Sequence, residues 1–95
     1  MPITVVAKVV AKKDCVEAVK TELLKLIAPT RQENGCIAYN LHQDHENPAV
    51  FVFYETWENG ACLDAHMATE HFKSYVAVVT SMIEEKIVHK MDRIA

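Results

Sequence analysis

The 95-residue sequence predicts a single α+β domain of order β-α-β-β-α-β, with four antiparallel strands and both helical regions on one face of the sheet. Three observations lead there. Short β-branched or aromatic segments open and close the chain and form a pair in its middle. Two longer segments between them carry apolar residues at helical spacing. The turn pairs Asn34-Gly35 and Asn59-Gly60 fall between these elements.

The first segment, ITVVAKVVAKK, places Ile3, Val5, Ala7 and Val9 on one side and Val6 and Val10 on the other. A strand apolar on both sides requires cover on both. Asp14 is positioned as an N-cap with Glu17 completing a capping box, and Val16, Val19, Leu23, Leu26 and Ile27 continue at helical spacing. Pro29 should kink or restart this helix, Thr30 and Glu33 can cap a last turn, and Gly35 supplies the left-handed residue that ends it. CIAYNLHQ and AVFVFYETWE read as a hairpin joined at DHENP. In its second strand Phe51, Phe53, Glu55 and Trp57 share one face, while Val50, Val52, Tyr54 and Thr56 share the other. The following helical region turns Leu63, Met67, Phe72, Tyr75, Val76, Val79, Met82 and Ile83 inward, and KIVHKMDRI closes the sheet as a last strand. This is the ferredoxin-like split βαβ arrangement, one domain over residues 1–95. Its open sheet face, apolar on the first and third strands, predicts a homodimer packed sheet to sheet.

Composition removes several function classes. Apolar residues make up 51% of the chain and the net charge is −3, so neither nucleic acid nor an anionic membrane finds a clustered basic surface. RNA-recognition motifs share this strand order, but their basic-Gly-aromatic signature is missing and the first strand has no aromatic. No apolar run is long enough to cross a bilayer and no leader pattern is visible, which points to a cytoplasmic protein. Cys15, Cys36 and Cys62 contain no C-x-x-C pair and read as small buried hydrophobes. With 2 glycines in the chain, a phosphate-cradling loop is nearly excluded.

The chemistry-bearing stretch is DAHMATEHFKSY, Asp64 to Tyr75. On an unbroken helix His71 and Tyr75 share a face and His66 points about 140° away from His71. Thr69 is a good N-cap, so two short helices meeting at Ala68-Thr69 could bring His66 back toward the others. Spacing alone favours one histidine packing or capping and the other exposed. HQDHE, His42 to Glu46, contains ligand-type residues, but strand alternation separates them and a solvated turn explains them; no other segment has metal-ligand spacing. His89 reads as structural, and Trp57 as core packing.

Three motifs in order, PTRQENGCIAY, FVFYETWE and LDAHMATEHFKSY, make the chain similar to the antibiotic biosynthesis monooxygenase family over essentially its whole length. The resemblance implies a dimeric α+β barrel, and it covers several uses: cofactor-independent oxygenation of quinols and phenols, haem degradation, and processing of a phosphorylated autoinducer. Ala7 and Lys8 stand where haem-degrading members carry an asparagine, and Tyr75-Val76 stand near their ligand position, which disfavours haem. The spacing of His66, His71 and Tyr75 resembles the quinol monooxygenase members and favours a pocket role for both histidines. The implied function is oxidation of a small phenolic or hydroquinone-type aromatic by O2 without metal or cofactor. His71 is the candidate base; His66 and Tyr75 orient the substrate oxygen; Trp57, Phe51, Phe53, Met67 and Phe72 line the pocket. Two other readings stand beside it: an isomerase or processing enzyme using the same histidines without consuming oxygen, and a dimeric ligand-binding stress protein without turnover.

Overall fold

The structure, a computed structural model, describes residues 1–95. β1 (Ile3–Ala11) leads to α1 (Val16–Lys25) and the short α2 (Ile27–Arg31), then β2 (Cys36–Gln43), β3 (Val50–Trp57), α3 (Gly60–Met67), α4 (Glu70–Val79) and β4 (Ile83–Met91). The four strands form one antiparallel sheet in the order β2-β3-β1-β4, as the ferredoxin-like pattern requires.

Several local expectations are corrected. Asp14 does not cap α1: the N-cap is Cys15, without a side-chain capping bond, and Asp14 Oδ1 accepts from the Cys15 thiol instead. The helix breaks at Leu26 because a proline ring at position 29 would crowd the Lys25 carbonyl. Restarting at Ile27 leaves Pro29 in a first turn, where its missing N–H costs nothing. Thr30 and Glu33 do not cap that helix; Thr30 is fully buried, and the Glu33 carboxylate goes elsewhere. Ile83 opens β4 rather than closing the helical region, Met82 sits in a short 3-10 turn, and Asp92 lies past the strand. Met67 and Val76, expected inward, are 38% and 36% exposed.

Gly35 terminates the α2 turn at φ 84°, as its sequence context predicts. It also sits against α3, since a Cβ there would clash with Cys62 Sγ and Cβ. The hairpin of β2 and β3 pairs Tyr39 with Glu55 and Leu41 with Phe53. β1 pairs Val5 with Glu55 and Val9 with Phe51, so these residues share the helix-covered face. Val19, Leu23 and Leu26 from the first helical arm, with Leu63, Tyr75 and Val79 from the second, complete the core. Each buried aliphatic or aromatic side chain contributes about 1.5–3 kcal/mol. On the opposite face Val6 stands between Tyr54 and His89, and Lys8 between Val52 and Ile87. Tyr54, Ile87 and Met91 there are 39–48% exposed, an apolar surface with a single ion pair, Lys8 to Glu85 at 3.4 Å.

Candidate functional site

The helical arm breaks where the sequence places a cap. Thr69 adopts an extended backbone, accepts from the Phe72 amide at 3.3 Å and donates its hydroxyl to the His66 carbonyl at 2.7 Å. α3 therefore ends at Met67, and the change of axis cancels the angular separation that a continuous helix would impose. His66 Nδ1 and His71 Nε2 reach the same oxygen, Glu33 Oε2, at 2.8 and 2.7 Å. Glu33 is held from its own side: its amide donates to the Thr30 carbonyl, and its carbonyl accepts from the Cys36 amide. Sequence reasoning gives Glu33 a capping role and misses it as a site residue. Its only local signal is its position just before the obligatory turn at Gly35.

His66 is 3% exposed and enclosed by aromatic rings, with centroids at 4.8 Å for Trp57, 5.0 Å for Phe72 and 5.6 Å for Tyr39. Burial lowers its pKa below the ordinary imidazole range, and the Glu33 carboxylate opposes that shift. In the neutral ring Nδ1 carries the proton and donates it to Glu33, leaving a lone pair on Nε2, which makes no hydrogen bond within the chain.

His66 lines an apolar cavity of about 70 Å³ together with Val5, Ala7, Val9, Leu26, Tyr39, Phe53, Glu55, Leu63, Met67, Phe72, Tyr75, Lys86 and Val88. The structure thus brings His66, Tyr75, Phe53, Met67 and Phe72 to one hollow. It does not bring His71, Phe51 or Trp57 there. His71 lines a separate groove with Glu22, Lys25, Leu26, Ser74 and Tyr75 and is 26% exposed, on the solvent side of Glu33. Phe51 and Trp57 are buried in the packed layer behind the hollow, because the inward face of β3 is covered by the helices along its whole length. Trp57 acts on the hollow indirectly: its indole N–H donates to Glu55 Oε1 at 2.9 Å. An apolar cavity that takes benzene is about 150 Å³. A ring-sized ligand therefore requires Met67 and Phe72 at the rim to move aside.

Burial raises the Glu55 carboxyl above the usual carboxylate range, opposed by the Trp57 bond, and pushes Tyr75 up to about 12. Tyr75 keeps its proton at neutral pH and can donate a hydrogen bond but not act as a base. Glu33, His66 and His71 are also the set with metal-ligand chemistry, their donor atoms all within 4.8 Å of one another. A tetrahedral ion with bonds of 2.0–2.1 Å separates its ligand atoms by about 3.3 Å. The two imidazole-to-carboxylate separations of 2.7 and 2.8 Å are instead hydrogen-bond distances. No helix is long and apolar enough to cross a membrane.

Comparison with known proteins follows the same lines. The family model described as antibiotic biosynthesis monooxygenase matches residues 2–78. The uncharacterized protein sll1783 of Synechocystis sp. is 32% identical over 99% of this chain, which spans 64% of that relative's length. The crystal structure of PA3566 from Pseudomonas aeruginosa superposes with a TM-score of 0.95 at 34% identity, covering 99% of this chain and 95% of that one. The crystal structure of an antibiotic biosynthesis monooxygenase gives 0.92 at 35% identity, covering 98% and 99%.

Proposed function

The chain belongs to the antibiotic biosynthesis monooxygenase family, and from that membership together with the cavity chemistry we propose that it oxidises a small hydroquinone-type or phenolic aromatic with O2, using no metal or organic cofactor. The observation that carries this reading is the unpaired Nε2 of His66 on an apolar hollow, with Nδ1 held on Glu33. That arrangement fixes the tautomer and stabilises the imidazolium once a proton arrives, as the carboxylate of a catalytic triad does for its histidine. His66 takes the base role and His71, which does not line the hollow, a positioning role through their shared carboxylate.

O2 reacts slowly with closed-shell organic molecules, whereas a phenolate is electron-rich enough to transfer an electron to it. His66 removes the phenolic proton. The anion gives an electron to O2, the resulting radicals combine as a carbon-bound hydroperoxide, and its O–O bond breaks with loss of water. For a hydroquinone the sum is QH2 plus O2 giving a hydroxyquinone plus H2O; the ring loses four electrons, one oxygen atom enters it and the other leaves as water. Tyr75 donates a hydrogen bond to the developing oxyanion. Phe53, Met67 and Phe72 enclose the ring, and Trp57 and Phe51 hold that wall from behind.

The test is oxygen uptake across a panel of hydroquinones, with product identified by mass. His66→Ala should lower kcat/KM on the order of 10²–10⁴-fold, the usual worth of a general base. Equal uptake by the parent and His66→Ala proteins rejects the assignment. Product formed without oxygen consumption points to the isomerase reading, which the pairing of an imidazole base with the Glu55 and Tyr75 groups also serves; saturable binding without product points to a ligand-binding module. The working form is a homodimer joined through the open sheet face, where Val6, Val10, Val52, Tyr54, Ile87 and Met91 would be covered. Sedimentation at micromolar concentration should give twice the 10.7 kDa chain mass, and a monomer there defeats this part.

A further inference from the structure

Glu55 is an ionisable side chain placed, at some cost, in the apolar hollow. The residue is 5% exposed, and only Oε1 has a partner, the Trp57 indole. Oε2 makes no hydrogen bond within the chain. Thr30 Oγ1 is the sole partnerless polar side-chain atom fully sealed in the interior, so Glu55 Oε2 remains reachable from the cavity it lines. A buried carboxyl group with one oxygen tied and the other bare is expensive unless something completes it. The register across β1, β3 and β2 explains how it is held: Glu55 is flanked by Val5 on one side and Tyr39 on the other, on an inner strand of the sheet. His66, carried on α3, looks onto the same hollow. Two polar atoms without partners, one from the sheet and one from the helical layer, therefore bound one apolar space.

We propose that Glu55 is a second ligand anchor, and that the hollow selects aromatic diols over mono-phenols by holding one hydroxyl on His66 Nε2 and another on Glu55 Oε2. This rests on the aromatic-substrate reading above and narrows it. The Trp57 indole positions Glu55 by occupying Oε1, which turns the remaining oxygen toward the ligand. A mono-ether of the same ring leaves Glu55 unsatisfied and loses that contact, a difference of about tenfold in affinity for one hydrogen bond.

The experiment is an anaerobic titration followed by the fluorescence of Trp57, the single tryptophan of the chain, with hydroquinone, 4-methoxyphenol and 1,4-dimethoxybenzene as probes. The parent protein should bind hydroquinone about tenfold more tightly than 4-methoxyphenol. In Glu55→Met the preference should vanish, with 4-methoxyphenol affinity changed less than about threefold. Absence of saturable hydroquinone binding, absence of the preference in the parent, or its persistence in Glu55→Met overturns the proposal. Should Glu55→Met fail to fold, difference infrared spectra of the parent decide: the Glu55 carboxyl band should shift with hydroquinone and not with 1,4-dimethoxybenzene, and an unchanged band overturns it. Diol-selective binding without oxygen uptake would sink the oxygenase reading and leave the anchor standing. Uptake with hydroquinone and 4-methoxyphenol at equal rates, before and after Glu55→Met, would do the reverse.

Discussion

Replacing Glu33 by glutamine tests whether His66 is governed by the carboxylate it touches. One oxygen of Glu33 accepts from two imidazoles, at 2.8 and 2.7 Å, and the Glu33 side chain is 13% exposed, so solvent screens these bonds weakly. Hydrogen bonds to a charged acceptor are worth about 1.5–3 kcal/mol each, against about 0.5–1.5 for a neutral one. The amide oxygen introduced by Glu33→Gln can still accept, so the loss is the difference, roughly 1–3 kcal/mol for the pair. A domain of this size has about 5–14 kcal/mol in hand at 0.05–0.15 kcal/mol per residue, so the variant remains folded, with a melting temperature lowered by roughly 4–20 °C. The effect on titration has a definite sign. Burial lowers the His66 pKa and Glu33 raises it; removing the charge leaves burial unopposed, so the midpoint moves further down. NMR titration of the His66 ring should show a midpoint below the ordinary value of about 6.5 in the parent and a lower one in Glu33→Gln. Because the unfolded chain binds this proton more readily than the folded one, stability attributable to His66 is complete above about pH 6.5 and is lost as pH falls toward the depressed folded value. The acidic limb of kcat/KM should follow the NMR midpoint, and its plateau should fall by less than in His66→Ala, because the base itself is retained. An unchanged midpoint with an unchanged rate would refute the account of this cluster.

The remaining predictions test the scaffold. Gly35→Ala forces an L side chain to φ 84° and drives its Cβ into Cys62 Sγ; left-handed strain of about 1–2 kcal/mol and overpacking of about 1–3 kcal/mol should add to roughly 2–5 kcal/mol by denaturant titration. Cys62→Gly in that background removes the atoms in conflict and should recover the overpacking part alone, so simple additivity of the two changes would contradict the clash. Thr69→Ala removes the cap on α4 and the bond to the His66 carbonyl; about 1 kcal/mol of stability should go, and the His66 and His71 ring resonances should move together. Tyr54→Lys, on the open sheet face at 48% exposure, should convert the proposed dimer to a monomer by sedimentation, and a dimer that persists would place the interface elsewhere.

The elements are legible because each is written in local periodicity. The alternation of Phe51, Phe53, Glu55 and Trp57 marks the buried face of β3 with Glu55 included, and all four are at most 5% exposed. The bend at Thr69 is legible for a similar reason: a capping residue followed by an acidic first turn is a local instruction, and Thr69 obeys it. Asp14 offers the same kind of instruction and is not obeyed. There the chain turns through a Lys12–Cys15 backbone bond of 2.8 Å, which sets Cys15 at the cap position and leaves the Asp14 carboxylate one residue too early. Competing turn geometry next to the strand outweighs a bond worth about 1 kcal/mol.

What local pattern does not show is which residues the fold brings together. The family resemblance puts His71 forward as base, and it does share a face of α4 with Tyr75; but that face is divided, with Tyr75 reaching both the hollow and the neighbouring groove and His71 only the groove. His66 reaches the hollow because α3, set off from α4 by the Thr69 break, approaches the sheet along a different axis and packs against the Gly35 turn. The same turn follows Glu33, which lies 33 residues from His66 and 38 from His71 in sequence. A glycine that looks like a chain terminator for one helix is thus also the close-packing point for another, and two residues before it stands Glu33, whose carboxylate joins the two histidines. Mutations at Gly35 should therefore disturb the His66 titration without touching His66. If Gly35→Ala lowers stability yet leaves the His66 midpoint where it was, the turn supports the fold alone, and the coupling between the α2–β2 connection and the histidine pair is absent.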